Sequence, residues 1–312
     1  MTSKANSLLP AVNTFIRDMP NDVYHASEVS WSSSQIKTVL DGDDAFIKKY
    51  ILKEVTRQDT SAFDIGTYFH TKVLEPHKIK SEVVIFQGKT RYGAKWEEFK
   101  KDNPNKLLLT QKQVDVGDSL VRAVKKSPVS TQYLKGEPEI SLFIEILISS
   151  GRIYAPAFMK ILTLNGWVGT PLIPKKGYKT CIRVRGDCVG LTFISDLKST
   201  SVDAQSRAIE GAIEKYEYDL SAALYLDMFS LVRPIVKEFI WIFASKELAN
   251  AASWRATPNH IKIGRAKYMW GLNRIACLYH SNWEIADYLR EPSPSARQYT
   301  WLRQQESDAD LL

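Results

Sequence analysis

The sequence predicts an α/β protein with a mixed central β-sheet flanked by helices. Three observations carry that expectation. Apolar, β-branched runs crowd the middle of the chain at 140–148, 180–187 and 191–196, with a further run at 238–244. Helical periodicity brackets them, at 33–40, 45–55, 62–74 and 110–126 on one side and at 218–232 and 265–278 on the other. Strands in mid-chain with helices before and after are buried together when the helices cover both faces of one sheet.

Taken in order, residues 1–20 read as a flexible arm, and 21–312 as a single domain. Ser32 or Ser33 is a suitable N-cap for the first helix, since its hydroxyl can take an orphan N–H. Helix 62–74 is amphipathic and ends before Pro76, which cannot continue it. A strand is expected at 81–86, a loop and a charged helix across 88–106, and a helix that stops before Pro128, with a short extension at 130–134. The run at 140–148 reads as a buried strand, followed by an irregular segment at 149–178. No internal repeat or low-complexity tract is present.

With 44% hydrophobic residues and eight tryptophans, the chain has ample core material. Its formal charge of +7 suits a polyanionic partner without specifying one. Cys181, Cys188 and Cys277 are too few and too scattered for a disulfide scaffold or a four-cysteine cluster, and read as reduced buried thiols. The first residues lack the apolar core of a signal peptide, and no run approaches the roughly 18 apolar residues of a membrane span. The expectation is a soluble, cytoplasmic protein.

The chemistry concentrates around Asp187 and Asp196. If Gly190 and Leu191 form the turn of a hairpin, both carboxylates project from neighbouring strands toward one point. Two carboxylates at one point repel, and a hard divalent ion such as Mg²⁺ or Mn²⁺ relieves the repulsion. Lys198, two residues beyond Asp196, faces the same side of a strand and can orient a water or stabilise charge on a phosphorus centre. Carboxylate-x-Lys alone says little, since Glu98-Phe99-Lys100 repeats it on what reads as a solvated helix face. A second constellation lies on helix 62–74, where Gly66 and His70 share a face and the glycine offers room for another backbone.

The basic residues leave alternatives open. Arg183 and Arg185 alternate on one strand and can touch phosphates or pair with acidic neighbours. The helix start at Ser33, Ser34 and Lys37 can hold a 5′ phosphate on its free N–H groups or be simply capped. The aromatic tail from Trp254 to Trp301 can stack bases or pack in a core.

The order Gly66-x-x-x-His70, Leu74-Glu75-Pro76, Asp187, Asp196-Leu197-Lys198 and a helix with Tyr225 resembles the PD-(D/E)xK nuclease superfamily. More narrowly it is similar to the RecE-type, exonuclease VIII-like branch, related in its core to lambda exonuclease and the RecB nuclease domain. Tyr24-His25, the run from Ser30 to Lys37, and the stretch Leu272–Cys277 with Trp283 and Tyr288 extend the likeness over about residues 23–290. The resemblance implies a restriction-endonuclease-like core. It also implies metal ligation by Asp187, Asp196, the Leu197 carbonyl and His70, with Lys198 positioning the attacking water and Tyr225 supporting the site. The family's Gln-x-x-x-Tyr motif stands here as Ser221 to Tyr225, and the 146–179 connection is longer than the pattern requires.

The implied activity is Mg²⁺-dependent 5′→3′ exonuclease digestion of linear double-stranded DNA, leaving a 3′ overhang. Two ions would lie between Asp187 and Asp196. From the resemblance alone follow a ring-shaped homo-oligomer (trimer or tetramer), a single-strand annealing protein as partner, and a phage recombination role. An endonuclease on the same fold and a non-catalytic DNA-binding subunit are the rival readings.

Overall fold

A computed structural model describes residues 12–27, 30–55, 61–88, 90–149, 151–158, 160–162 and 177–285. The expected arm is therefore described only from residue 12. That part is held: β1 (Phe15–Ile16) pairs with the sheet, and Met19 is buried. After α1 (Asn21–Ala26) and β2 (Ser30–Trp31), Ser32 is the N-cap of α2 (Ser33–Asp41), and its N–H donates to the Gln35 side chain at 2.9 Å as in a capping box. The expected helix at 45–55 is α3 (Asp43–Phe46) running into one π-turn at Ile47–Ile51.

α4 (Ser61–Leu74) ends before Pro76, in agreement with the sequence. A small unit follows: the 3₁₀ turn Pro76–Lys78, α5 (Ile79–Glu82), β3 (Val83–Phe86), α6 (Ala94–Asp102) and β4 (Leu107–Thr110). β3 and β4 pair in parallel as a separate two-stranded sheet. Thr110 then caps α7 (Gln111–Lys126), and α8 (Pro128–Gln132) leads into the main sheet.

That sheet contains β5 (Glu137–Ser149), β6 (Arg152–Ala155), β7 (Lys160–Leu162), β8 (Tyr178–Val189) and β9 (Phe193–Thr200). After α9 (Ala208–Lys215) and α10 (Tyr218–Val232), β10 (Glu238–Ser245) and β11 (Ala251–Arg255) complete it, and α11 (Pro258–His280) closes the described chain. Its order is β11-β10-β9-β8-β5-β6-β7, with β1 on β5 and β2 on β8. β9 and β10 run parallel, and β8 runs antiparallel to both β5 and β9, so the sheet is mixed. The irregular segment expected at 149–178 includes β6 and the edge strand β7, while residues 163–176 lie outside the described residues.

Alternation along β10 explains the two-faced burial. Phe239, Trp241 and Phe243 enter the core under α10 and α11, whereas Ile240, Ile242 and Ala244 meet Ile65 and Phe69 of α4 and Leu120, Val121 and Val124 of α7. Helices α10 and α11 pack closely at Gly264, where an added Cβ would stand 2.0 Å from the Asp219 carbonyl oxygen. Among the described residues no helix is long and apolar enough to cross a membrane. Cys181 and Cys188 are reduced and buried, and Cys277 is reduced and half-buried.

Candidate active site

The site lies where β8 and β9 part. Their ladder pairs Val189 with Ile194 and Cys188 with Ser195, and then stops. Asp187 and Asp196 hold the next register position. In place of a ladder bond, the Asp187 side chain accepts a hydrogen bond from the Leu197 N–H at 2.7 Å. In an extended strand the N–H and C=O of one residue point to the same edge. The Leu197 carbonyl, expected as a ligand, therefore also faces the Asp187 side.

Helix α4 delivers His70. Ile65 and Phe69 bury against β9 and β10, fixing the rotation of the helix, and the next side chain reaches the strands. His70 Nδ1 stands 3.3 Å from Asp187 Oδ2. The expected close backbone contact at Gly66 is absent: an added Cβ would meet only the Ser199 hydroxyl, at 3.9 Å.

A third acid completes this group. Glu139 of β5 stands across from Asp187, between the Pro138–Cys188 and Ile140–Gly186 pairs. Its backbone is left-handed, with φ of 52°, a conformation that is costly for a residue with a Cβ. Ligand atoms of His70, Glu139 and Asp187 all lie within 4.8 Å of one another. Burial, and then the neighbouring Asp187 carboxylate, push the Glu139 carboxyl up to about 8. One imidazole nitrogen and two carboxylates suit a divalent ion such as Mn²⁺ or Mg²⁺, and a cation would neutralise the repulsion between the two acids. The donor set thus fits the metal that PD-(D/E)xK nucleases use. Glu139 does not stand out in the sequence because the apolar run that marks β5 begins one residue later. A third acid just ahead of that run, in Glu137-Pro138-Glu139, was the available signal.

Asp196, expected as a metal ligand, is buried and accepts a hydrogen bond from Lys198 Nζ on Oδ1 at 2.6 Å. Glu139 joins the His70–Asp187 donor set beside it. Burial alone would push the Lys198 ammonium toward neutrality, but Asp196 and Asp187 outweigh it and keep Lys198 protonated. Lys198 also sits 5.4 Å from the centre of the Tyr218 ring. Behind it, Tyr225 of α10 is half-buried, desolvation pushes its phenol up to about 12, and its hydroxyl is 3.5 Å from the Ser33 hydroxyl.

The expected DNA contacts divide. Arg183 is buried and donates to the Ser27 and Ser30 carbonyls at 2.7 Å each, to the Ser30 hydroxyl at 2.9 Å and to Gln35 at 3.0 Å. Its guanidinium fastens the segment before α2 and is not offered to phosphate, which corrects the expectation. Arg185 is similarly engaged with Ser141, Asn21 and the Met19 carbonyl, and lies over the Tyr24 ring at 4.2 Å. Ser33 is buried and Ser34 exposed at the start of α2. Half-buried Lys37 donates to the Tyr216 carbonyl at 2.9 Å and shares the Tyr218 ring with Lys198. The second carboxylate-x-Lys, Glu98 and Lys100, is solvated on α6 as expected. The aromatic tail beyond residue 285, including Tyr288 and Trp301, lies outside the described residues.

Comparison with known proteins agrees with this architecture. Residues 32–151 match a family model described as a PDDEXK-like domain of unknown function. The match spans α2 to the end of β5, taking in His70 and Glu139, and stops before Asp187. A solved structure from Eubacterium rectale, described as a "putative exonuclease", superposes with a TM-score of 0.53 at 14% identity, covering 87% of this chain and 94% of that one. A second solved structure, of SSO0001, gives a TM-score of 0.24 at 11% identity over 76% of this chain and 84% of that one, too low to bear on the fold. No curated protein matches the chain. The mixed sheet, the helices on both its faces and the partial family match agree with an α/β core of the PD-(D/E)xK type.

Proposed function

We propose that the protein is a metal-dependent deoxyribonuclease that digests one strand of linear double-stranded DNA from its 5′ end. The carrying observation is the meeting of the His70, Glu139 and Asp187 donor set with the Asp196–Lys198 pair at the parting of β8 and β9. A divalent cation there, Mg²⁺ by expectation and Mn²⁺ as an alternative, supplies Lewis-acid stabilisation of a phosphoryl oxygen.

The chain's own groups do the rest. Hydrolysis forms a bond from water oxygen to phosphorus and breaks the bond from phosphorus to the 3′ oxygen, which takes up a proton. The Lys198 ammonium stabilises charge gathering on the phosphoryl oxygens and orients the attacking water. Asp196 holds that ammonium, and the Leu197 N–H holds Asp187. Tyr225 closes the site from α10, and the α2 start at Ser33, Ser34 and Lys37 borders it.

The end-dependent reading is supported by the RecE-like motif order and by the description of the Eubacterium rectale neighbour. From the motif order also come a 3′ overhang for recombination, a ring-shaped homo-oligomer, a single-strand annealing partner and a cytoplasmic location. Duplexes labelled at the 5′ or the 3′ end, beside a covalently closed circle, test the proposal in Mg²⁺. Early release of the 5′ label with the circle intact is the expected result. Nicking of the circle would make the protein an endonuclease, and early release of the 3′ label would reverse its polarity.

A further inference from the structure

An aromatic pair leads from Lys198 to solvent. Tyr218, at the start of α10, lies under two ammonium groups, Lys37 and Lys198, each 5.4 Å from its ring centre. Phe243 of β10 backs it at 6.0 Å. Tyr216 lies against the Tyr218 ring, with centroids 5.5 Å apart and planes 32° apart, and is 51% exposed. Lys215 extends over the Tyr216 ring at 5.3 Å, and the Tyr216 carbonyl accepts from Lys37.

This arrangement is braced from behind. Glu217, between the two tyrosines, takes a left-handed conformation with φ of 52° and ψ of 42°. Lys267 of α11 is fully buried and pairs with both Glu217 and Asp219, with the Asp219 contact at 2.8 Å. A buried lysine shared by two carboxylates on either side of the turn fixes how the tyrosine rings lie. An exposed ring held at a set angle, flanked by lysines and leading to a catalytic ammonium, combines the elements of single-strand nucleic-acid recognition: a π-face for a base and cations for its phosphates.

We propose that Tyr216 is a stacking platform for an unpaired nucleobase beside the scissile phosphate, with Lys37 and Lys215 holding the flanking phosphates. The proposal rests on the nuclease reading and adds to it a requirement that the end of the strand be frayed at the site. Each lysine keeps donors free for phosphate, because an ammonium has three.

The test is a scan of duplexes carrying 2-aminopurine at successive positions from the 5′ end, bound in Mg²⁺ to the Lys198→Ala protein. Stacking should quench the probe at one or two adjacent positions. Adding Tyr216→Ala should abolish that quenching and weaken binding of a short single strand about tenfold, while Tyr216→Trp should retain both. Quenching and affinity that are the same with Tyr216→Ala overturn the platform. Cleavage of labelled duplex by the unsubstituted protein is followed in parallel. If it cuts DNA but Tyr216→Ala changes no binding, only the platform falls; if it neither binds nor cuts DNA, the nuclease reading falls with it.

Discussion

Asp187 and Asp196 hold the register position at which the β8–β9 ladder ends. The pairs before it, Val189 with Ile194 and Cys188 with Ser195, are regular. At the next step Asp187 takes the Leu197 N–H on its side chain and Asp196 turns to Lys198. His70 from α4 and Glu139 from β5, on the other side of β8, both approach Asp187 at this point.

Glu139 should matter to metal binding itself. Glu139→Gln keeps the size of the side chain and removes a charged ligand, so Mn²⁺ affinity measured by calorimetry or electron paramagnetic resonance should fall at least about tenfold. Glu137→Gln is the control. Its carboxylate pairs with Arg17 and Arg233, so its loss should leave the metal affinity unchanged.

Arg183 should matter to stability. Arg183→Met removes bonds to Ser27, Ser30 and Gln35 and strands buried acceptors, at a cost of about 3 kcal/mol. Thermal unfolding should fall by several degrees. If Tm is unchanged and only the salt dependence of DNA binding is reduced, Arg183 is a phosphate contact after all.

Gly264→Ala should be among the most damaging single substitutions. The new methyl would meet backbone of α10, which cannot swing aside as a side chain can. A loss of about 3 kcal/mol is expected in denaturant unfolding, against near neutrality at Gly211, where an added Cβ meets nothing within 4 Å.

Acid should remove one contribution in a predictable order. Burial would raise the Asp118 carboxyl, but hydrogen bonds from Lys72 and Tyr68 more than offset it and hold it below its ordinary value of 3.8. A depressed carboxyl stabilises the fold above its unfolded pKa and loses that contribution as pH falls through the folded one. Asp118→Asn should therefore cost up to about 1 kcal/mol at pH near 7, given the partial exposure of the pair. Unfolding curves of the two proteins should converge at a pH below that ordinary value.

Much of this architecture is legible in the sequence, for a local reason. Period-2 alternation places Asp196 and Lys198 on one side of β9, and helical period places His70 one residue beyond Phe69 on α4. What escapes lacks a local signal. β1 and β2 are two residues each, too short to show any period. β11, Ala251–Arg255, opens with Ala251, Ala252 and Ser253, small residues where β-branched ones would mark a strand. Glu139 sits at a break in backbone conformation, and the burial of Arg183 depends on partners far away in sequence. The acid of the candidate site and the arginine of the core carry no local mark of their places until the strands are assembled.

The central claim is that a divalent metal and Lys198 together cut DNA at this site. The direct measurement is the rate at which a 5′-labelled linear duplex is digested across an Mg²⁺ titration, with EDTA and Lys198→Ala as the two arms. Digestion should require the metal, and the substitution should slow it by about 100-fold or more while the protein stays folded and binds metal. Digestion that persists in EDTA, or that Lys198→Ala leaves at full rate, would contradict the account.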